Sequence, residues 1–102
     1  MPFYLYQLRL APFYREKSNW SEYVNNILSQ HFIYLKQHCE NGKVFIAGRT
    51  DLDIGDPFNH GIVVFETDNT DAAQEFMNND PSVKHGIMTA RLFPFSVGMI
   101  QP

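Results

Sequence analysis

Apolar positions along the chain switch between two spacings, alternate residues and every third or fourth residue, and the switches divide it into elements. Phe3 to Leu10, reading FYLYQLRL, is aromatic and apolar, and its second half alternates with polar residues. That predicts a strand, with Gln7 and Arg9 on one face and Leu8 and Leu10 on the other. Pro12 ends it, because proline donates nothing to a ladder and restricts Ala11 before it. The chain to Asn19 reads as a polar loop. From about Glu22 to Glu40 the period lengthens: Val24, Leu28, His31, Leu35 and Cys39 recur at helical spacing. Ser18 or Ser21 caps this predicted helix, Trp20 staples its start against Val24, and Asn41-Gly42 supplies the stop.

Short spacing returns at Val44 to Ala47 and in the β-branched run Gly61 to Glu66, which predict two further strands. Between them lies a loop carrying Asp51, Asp53, Gly55, Asp56 and Pro57, whose register fits neither a calcium loop nor a phosphate loop. Asp71 to Met77 predicts a short helix with Thr70 as N-cap and Ala72, Ala73, Phe76 and Met77 turned inward. Asp80-Pro81 stops it, Ser82 to Lys84 connect, and Gly86 to Phe93 form the last strand. Pro94 to Pro102 is an apolar tail.

This order, βαββαβ, describes a split β-α-β, ferredoxin-like α+β domain over residues 1–102, with helices on one face of a four-stranded antiparallel sheet. Phe3, Leu5, Ile62, Val64 and Phe93 then furnish an apolar second face, and no segment remains to cover it. Two copies packed sheet to sheet solve that problem, so a homodimer is expected, with the tail from residue 94 to 102 at its interface.

Composition narrows the function classes. The 102 residues carry Lys+Arg 8 against Asp+Glu 11, a net charge of -3, with no basic run, so a nucleic-acid partner is not expected. Aromatic residues make up 15%, more than a small core needs, which points either to a lined pocket, as a small-molecule ligand would use, or to an apolar interface. A single cysteine, no signal-peptide pattern and no long apolar span predict a soluble cytoplasmic protein without a membrane partner.

One feature of the helix stripe carries chemistry: His31 is a titratable ring on the face that meets the core. The other histidines, His38, His60 and His85, form no close pair with it or with each other, so no metal site and no cofactor is expected. Cys39 reads as packing. Arg9, Arg49 and Arg91 lie on or beside strands, where one can hold a substrate carboxylate or simply face solvent. Tyr4, Tyr6, Tyr34 and Phe65 can line a cavity or fill a core. Trp20 can wall a pocket, although packing is its more usual role.

Taken in order, FYLYQLRL, QHFIYLKQHCENGKVFIAG, GIVVFET, DAAQEFMNNDP and the strand closing in LFPF resemble the YciI-like (YCII-related) family over nearly the whole length. The resemblance implies a dimeric α+β barrel and an active-site His–Asp dyad, which by motif falls on His31 and Asp80. Two departures stand out. Arg49 follows Gly48 where family members often carry proline, and the stretch from Pro12 to Trp20 is long and aromatic. The residues alone allow the same dyad: both helices pack on one sheet face, and a carboxylate within hydrogen-bond reach fixes the imidazole tautomer and leaves the other nitrogen free to take a proton. They equally allow a core histidine satisfied by Asp80 or a carbonyl, and an Asx turn before Pro81. Two function classes follow. One is a small cofactor-independent enzyme of isomerase or lyase type, with His31 as base, Asp80 as its orienter, and Arg9, Arg49, Tyr6 and Tyr34 gripping a cyclic or aromatic carboxylated metabolite. The other is a non-catalytic ligand-binding or interaction module on the same scaffold.

Overall fold

A computed structural model describes residues 1–102. Strand β1 (Phe3–Leu10) sits inside a four-stranded sheet, between β3 (Gly61–Glu66) and β4 (Met88–Phe95), and β2 (Val44–Arg49) pairs with the far side of β3. Every pairing is antiparallel. Helix α1 (Glu22–Glu40) follows β1, and α2 (Thr70–Asn78) with the one-turn α3 (Pro81–Lys84) follows β3. The expected βαββαβ order and helix-covered antiparallel sheet are what the chain adopts.

The alternation in β1 decides which side is which. Tyr4, Tyr6, Leu8 and Leu10 are buried, and their opposite partners Phe65, Val63, Leu92 and Met88 share that inner face. Ala73, Phe76 and Met77 of α2 pack there, and Val24 and Ile27 of α1 close a second apolar cluster with Leu10 and Ile87. His31 therefore falls, along α1, between Ile27 of one cluster and Tyr34 and Leu35, which pack on the other. The outer face carries Phe3, Leu5, Ile62, Val64 and Phe93, the expected set, joined by Phe45, Ile46 and Phe95. No second layer lies over them, and Phe45 and Ile46 are half exposed.

Local chemistry moved several boundaries. Ser21 caps α1, its Oγ accepting from the Val24 N–H at 3.3 Å, and Gly42, at φ +87°, takes the left-handed turn that ends it. Two 3₁₀ turns, Pro12–Arg15 and Lys17–Asn19, occupy the stretch expected to be plain loop. Asn69 rather than Thr70 caps α2, through a 2.9 Å bond from the Ala72 N–H. β4 begins at Met88 because Gly86, at φ +72°, and Ile87, bonded to the Ser82 carbonyl, belong to the preceding turn. It runs on through Pro94 because it is an edge strand, where a missing N–H costs no ladder bond.

The connector from Ser82 to Lys84 is in fact the helix α3. Pro81 occupies its first turn, where the absent N–H is an orphan anyway, and Asp80 is its N-cap. A residue expected to stop one helix starts the next. No helix in the chain is long and apolar enough to cross a membrane.

Candidate active site

Asp80 is fully buried at the start of α3, and four donors converge on it. The Ser82 backbone N–H at 3.0 Å and hydroxyl at 2.9 Å both reach Oδ1, the Tyr6 hydroxyl reaches Oδ2 at 2.8 Å, and His31 Nδ1 lies 2.6 Å from Oδ1. A carboxylate only accepts, so each of these groups donates. His31 is thereby held as the Nδ1–H tautomer, with Ser82 Oγ a further 3.2 Å neighbour of that nitrogen. Caps account for part of the assembly: the N-cap geometry fixes the carboxylate through Ser82, and β1 delivers Tyr6 from beneath.

The other imidazole nitrogen, Nε2, has no partner within the protein. No buried side-chain nitrogen or oxygen lacks a hydrogen bond, so Nε2 is not buried; the side chain as a whole is 16% exposed. His31 borders a cavity of about 770 Å³ between the C-terminal half of α1 and the β2–β3 end of the sheet. The Asp80 and Ser82 contacts to Nδ1 thus leave Nε2 unpaired on a residue that lines a volume within the usual range for a small-molecule site.

Apolar walls dominate the cavity: Leu8 and Leu10 from β1, Trp20, Leu28 and Leu35 from the helix side, and Met88 from β4. Its charged lining is mostly cationic, with Arg9, Lys17, Lys36 and Arg49 against Glu40 alone. An anionic ring compound matches both features. No three of the His, Cys, Asp and Glu side chains converge as a metal-binding group.

Burial pushes the Tyr6 phenol far above the ordinary tyrosine range, with the Asp80 charge adding to it. It stays a neutral donor to Asp80. Burial likewise raises Tyr34, with the Asp80 and Glu75 charges adding to the effect. His38 is lowered by burial, then by the neighbouring Lys43 ammonium. Replacing Tyr6 by phenylalanine removes one donor from a buried carboxylate, and an expected loss of about 1.5–3 kcal/mol is readable from the denaturant midpoint.

The six expected site residues divide into three pairs. His31 and Asp80 meet. Arg9 and Arg49 both border the cavity, Arg9 donating to the Pro57 carbonyl and Arg49 to the Thr50 carbonyl at 3.2 Å. Tyr6 and Tyr34 do not border it: Tyr6 lies beneath Asp80, and Tyr34 donates to the Phe76 carbonyl at 2.8 Å while stacking on that ring. Cys39, expected to pack, is exposed, because at that end of α1 it borders the open cavity rather than packed side chains. Trp20 serves both readings, packing against the second cluster and walling the cavity while its Nε1–H donates to the Tyr14 carbonyl at 2.7 Å. Ser82 was missed. Asp-Pro-Ser is an N-cap, N1, N2 sequence, and that start signal was available.

The family model of the YCII-related domain matches residues 9–96. No curated protein matches the chain. Among solved structures, the 5-chloro-2-hydroxyhydroquinone dehydrochlorinase TftG from Burkholderia phenoliruptrix AC1100, in complex with 2,5-dihydroxybenzoquinone, is similar with a TM-score of 0.68. The two are 19% identical, over 94% of this chain and 95% of that one, a likeness of fold.

Proposed function

The chain belongs to the family defined by the YCII-related domain, and from that premise we propose that it is a small cofactor-independent enzyme that moves a proton on a cyclic or aromatic anionic metabolite. His31 Nε2 is the general base. Asp80 holds Nδ1–H, orients the ring and offsets the positive charge that forms when Nε2 takes a proton. Arg9 and Arg49, with Lys36, neutralise the substrate's carboxylate or ionised hydroxyl, and the apolar walls stack on its ring. The product is an isomer, or an alkene if a leaving group departs from the carbon beside the one deprotonated.

The observation that carries this reading is the bare Nε2 on an open cavity, with its ring steered by a buried carboxylate. The dehydrochlorinase named above, which is bound to a dihydroxybenzoquinone, supports the choice of a hydroxylated ring as first probe. Trp20 is the one tryptophan and walls the cavity, so its fluorescence reports occupancy. Titration with 2,5-dihydroxybenzoquinone should quench it saturably in the wild type and at least tenfold more weakly in His31→Ala. Equal binding by a His31→Ala variant that loses only stability would instead favour a non-catalytic ligand module.

The scaffold is proposed to work as a homodimer, sheet against sheet, with the tail from residue 94 to 102 at the interface. Support comes from the uncovered Phe3, Leu5, Phe45, Ile46, Phe93 and Phe95, a contiguous apolar face of the kind that marks association surfaces. Sedimentation equilibrium should return twice the chain mass of 11.8 kDa. A monomer at micromolar concentration would refute the pairing.

A further inference from the structure

A second imidazole borders the same cavity, and nothing so far uses it. His60 stands at the head of β3, where its backbone N–H donates to Thr50 Oγ1 at 3.1 Å and its carbonyl accepts the Thr50 N–H at 2.9 Å. Its ring is as firmly set: Nδ1 lies 2.8 Å from the Phe58 carbonyl oxygen. A carbonyl only accepts, so Nδ1 carries the hydrogen. Nε2 has no partner in the protein.

This is the arrangement of His31 repeated from another layer of the fold. Both rings have Nδ1–H tied to an acceptor, and both leave Nε2 free at one cavity. The acceptors differ in charge. The Asp80 carboxylate compensates an imidazolium, whereas the Phe58 carbonyl is neutral. Only the His31 ring therefore has a counter-charge beside it for the imidazolium that forms when its Nε2 takes a proton. A smaller hollow of about 280 Å³ shares Gly48, Arg49, His60 and Ile62 with the main cavity, so His60 stands where the two meet and water can reload it.

We propose that His60 is a second catalytic residue, the partner of His31 in a two-base proton shift across a conjugated ring. His31 Nε2 takes the proton from a carbon beside a ring carbonyl, and the electron pair moves into a dienolate. The remote carbon of that dienolate takes a proton from Nε2 of His60 in its imidazolium form, so the carbon–carbon double bond moves into conjugation. The substrate is isomerised with no net change in atoms or electrons. His31 passes its proton to water in the open cavity, and His60 regains one from water. The inference rests on the reading of His31 as base, and it narrows the substrate class to ring ketones with a β,γ double bond and an anionic substituent for the cationic lining.

The test uses the full-length protein labelled with ¹⁵N and a carboxylated β,γ-unsaturated cyclohexenone as probe. Titration should move the Nε2 resonances of His31 and His60 with one dissociation constant and leave those of His38 and His85 in place. Movement of His31 alone would overturn the inference and leave the proposed function standing; movement of neither would overturn both. Turnover in D₂O then separates the two roles. His60→Gln should keep washing the α-proton of the probe into solvent while formation of the conjugated enone falls about 100-fold or more in kcat, with KM within a few-fold. Enone formation at the wild-type rate would show that His31 acts without His60, and a washout rate that falls together with enone formation would reduce His60 to a structural support of the site; either overturns the inference.

Discussion

Asp80→Ala is expected to be among the most damaging single changes in the chain, costing about 3–5 kcal/mol of stability. The carboxylate is fully buried and accepts from Tyr6, His31 and, twice, Ser82. Its removal leaves the Tyr6 hydroxyl, itself fully buried, without an acceptor and strips α3 of its cap. In a chain of this length each kcal/mol corresponds to roughly 4–8 °C of Tm, so thermal unfolding reads the effect directly. Asp80→Asn separates stability from chemistry. Its amide oxygen can accept the His31 and Ser82 donors while its nitrogen donates to the Tyr6 oxygen, so most of the bonds persist and only the buried Tyr6 O–H loses its acceptor. The charge that offsets an imidazolium is gone. Stability should fall by about 1–2 kcal/mol, while proton abstraction falls about 10²-fold or more. A fully active Asp80→Asn would reduce Asp80 to a helix cap.

His31→Ala should show the opposite balance. The ring is at the cavity margin, 16% exposed, and Asp80 retains Tyr6 and Ser82 without it. Water entering from the cavity can replace the lost Nδ1–H, so the expected destabilisation is only about 1 kcal/mol. Catalysis should fall by about 10²–10⁴-fold, the usual contribution of a positioned general base. Together the two positions make a sharp contrast: Asp80 matters to folding and chemistry alike, His31 to chemistry.

Element order and the inner and outer faces of β1 were legible because period and alternation are local properties of the chain. His31 was legible for a related reason, a titratable ring on a stripe of apolar residues. What the sequence reading lost was double meaning. Pro81 signals both the end of one helix and the first turn of another, and only the cap geometry of Asp80 shows which applies; Ser82 went unseen with it. Tyr6 looked like a pocket residue because its ring is amphipathic, yet strand alternation turns it beneath Asp80. Cys39 keeps the helical period of Val24 but not its burial, since at that end of the helix the stripe borders the cavity. Periodicity tells which way a side chain points, and packing elsewhere decides whether anything is there to meet it. His60 belongs to the same lesson: nothing local distinguishes it from a surface histidine until the cavity is in view.

The most direct measurement is the rate at which a ring-ketone α-proton exchanges into D₂O, followed by NMR for the wild type and for His31→Ala at matched folded fractions. A base with its lone pair turned into the cavity requires catalysed exchange in the wild type and a loss of about 10²-fold or more in the variant. Equal exchange rates for the two proteins, with both folded and binding the ring compound, would contradict it.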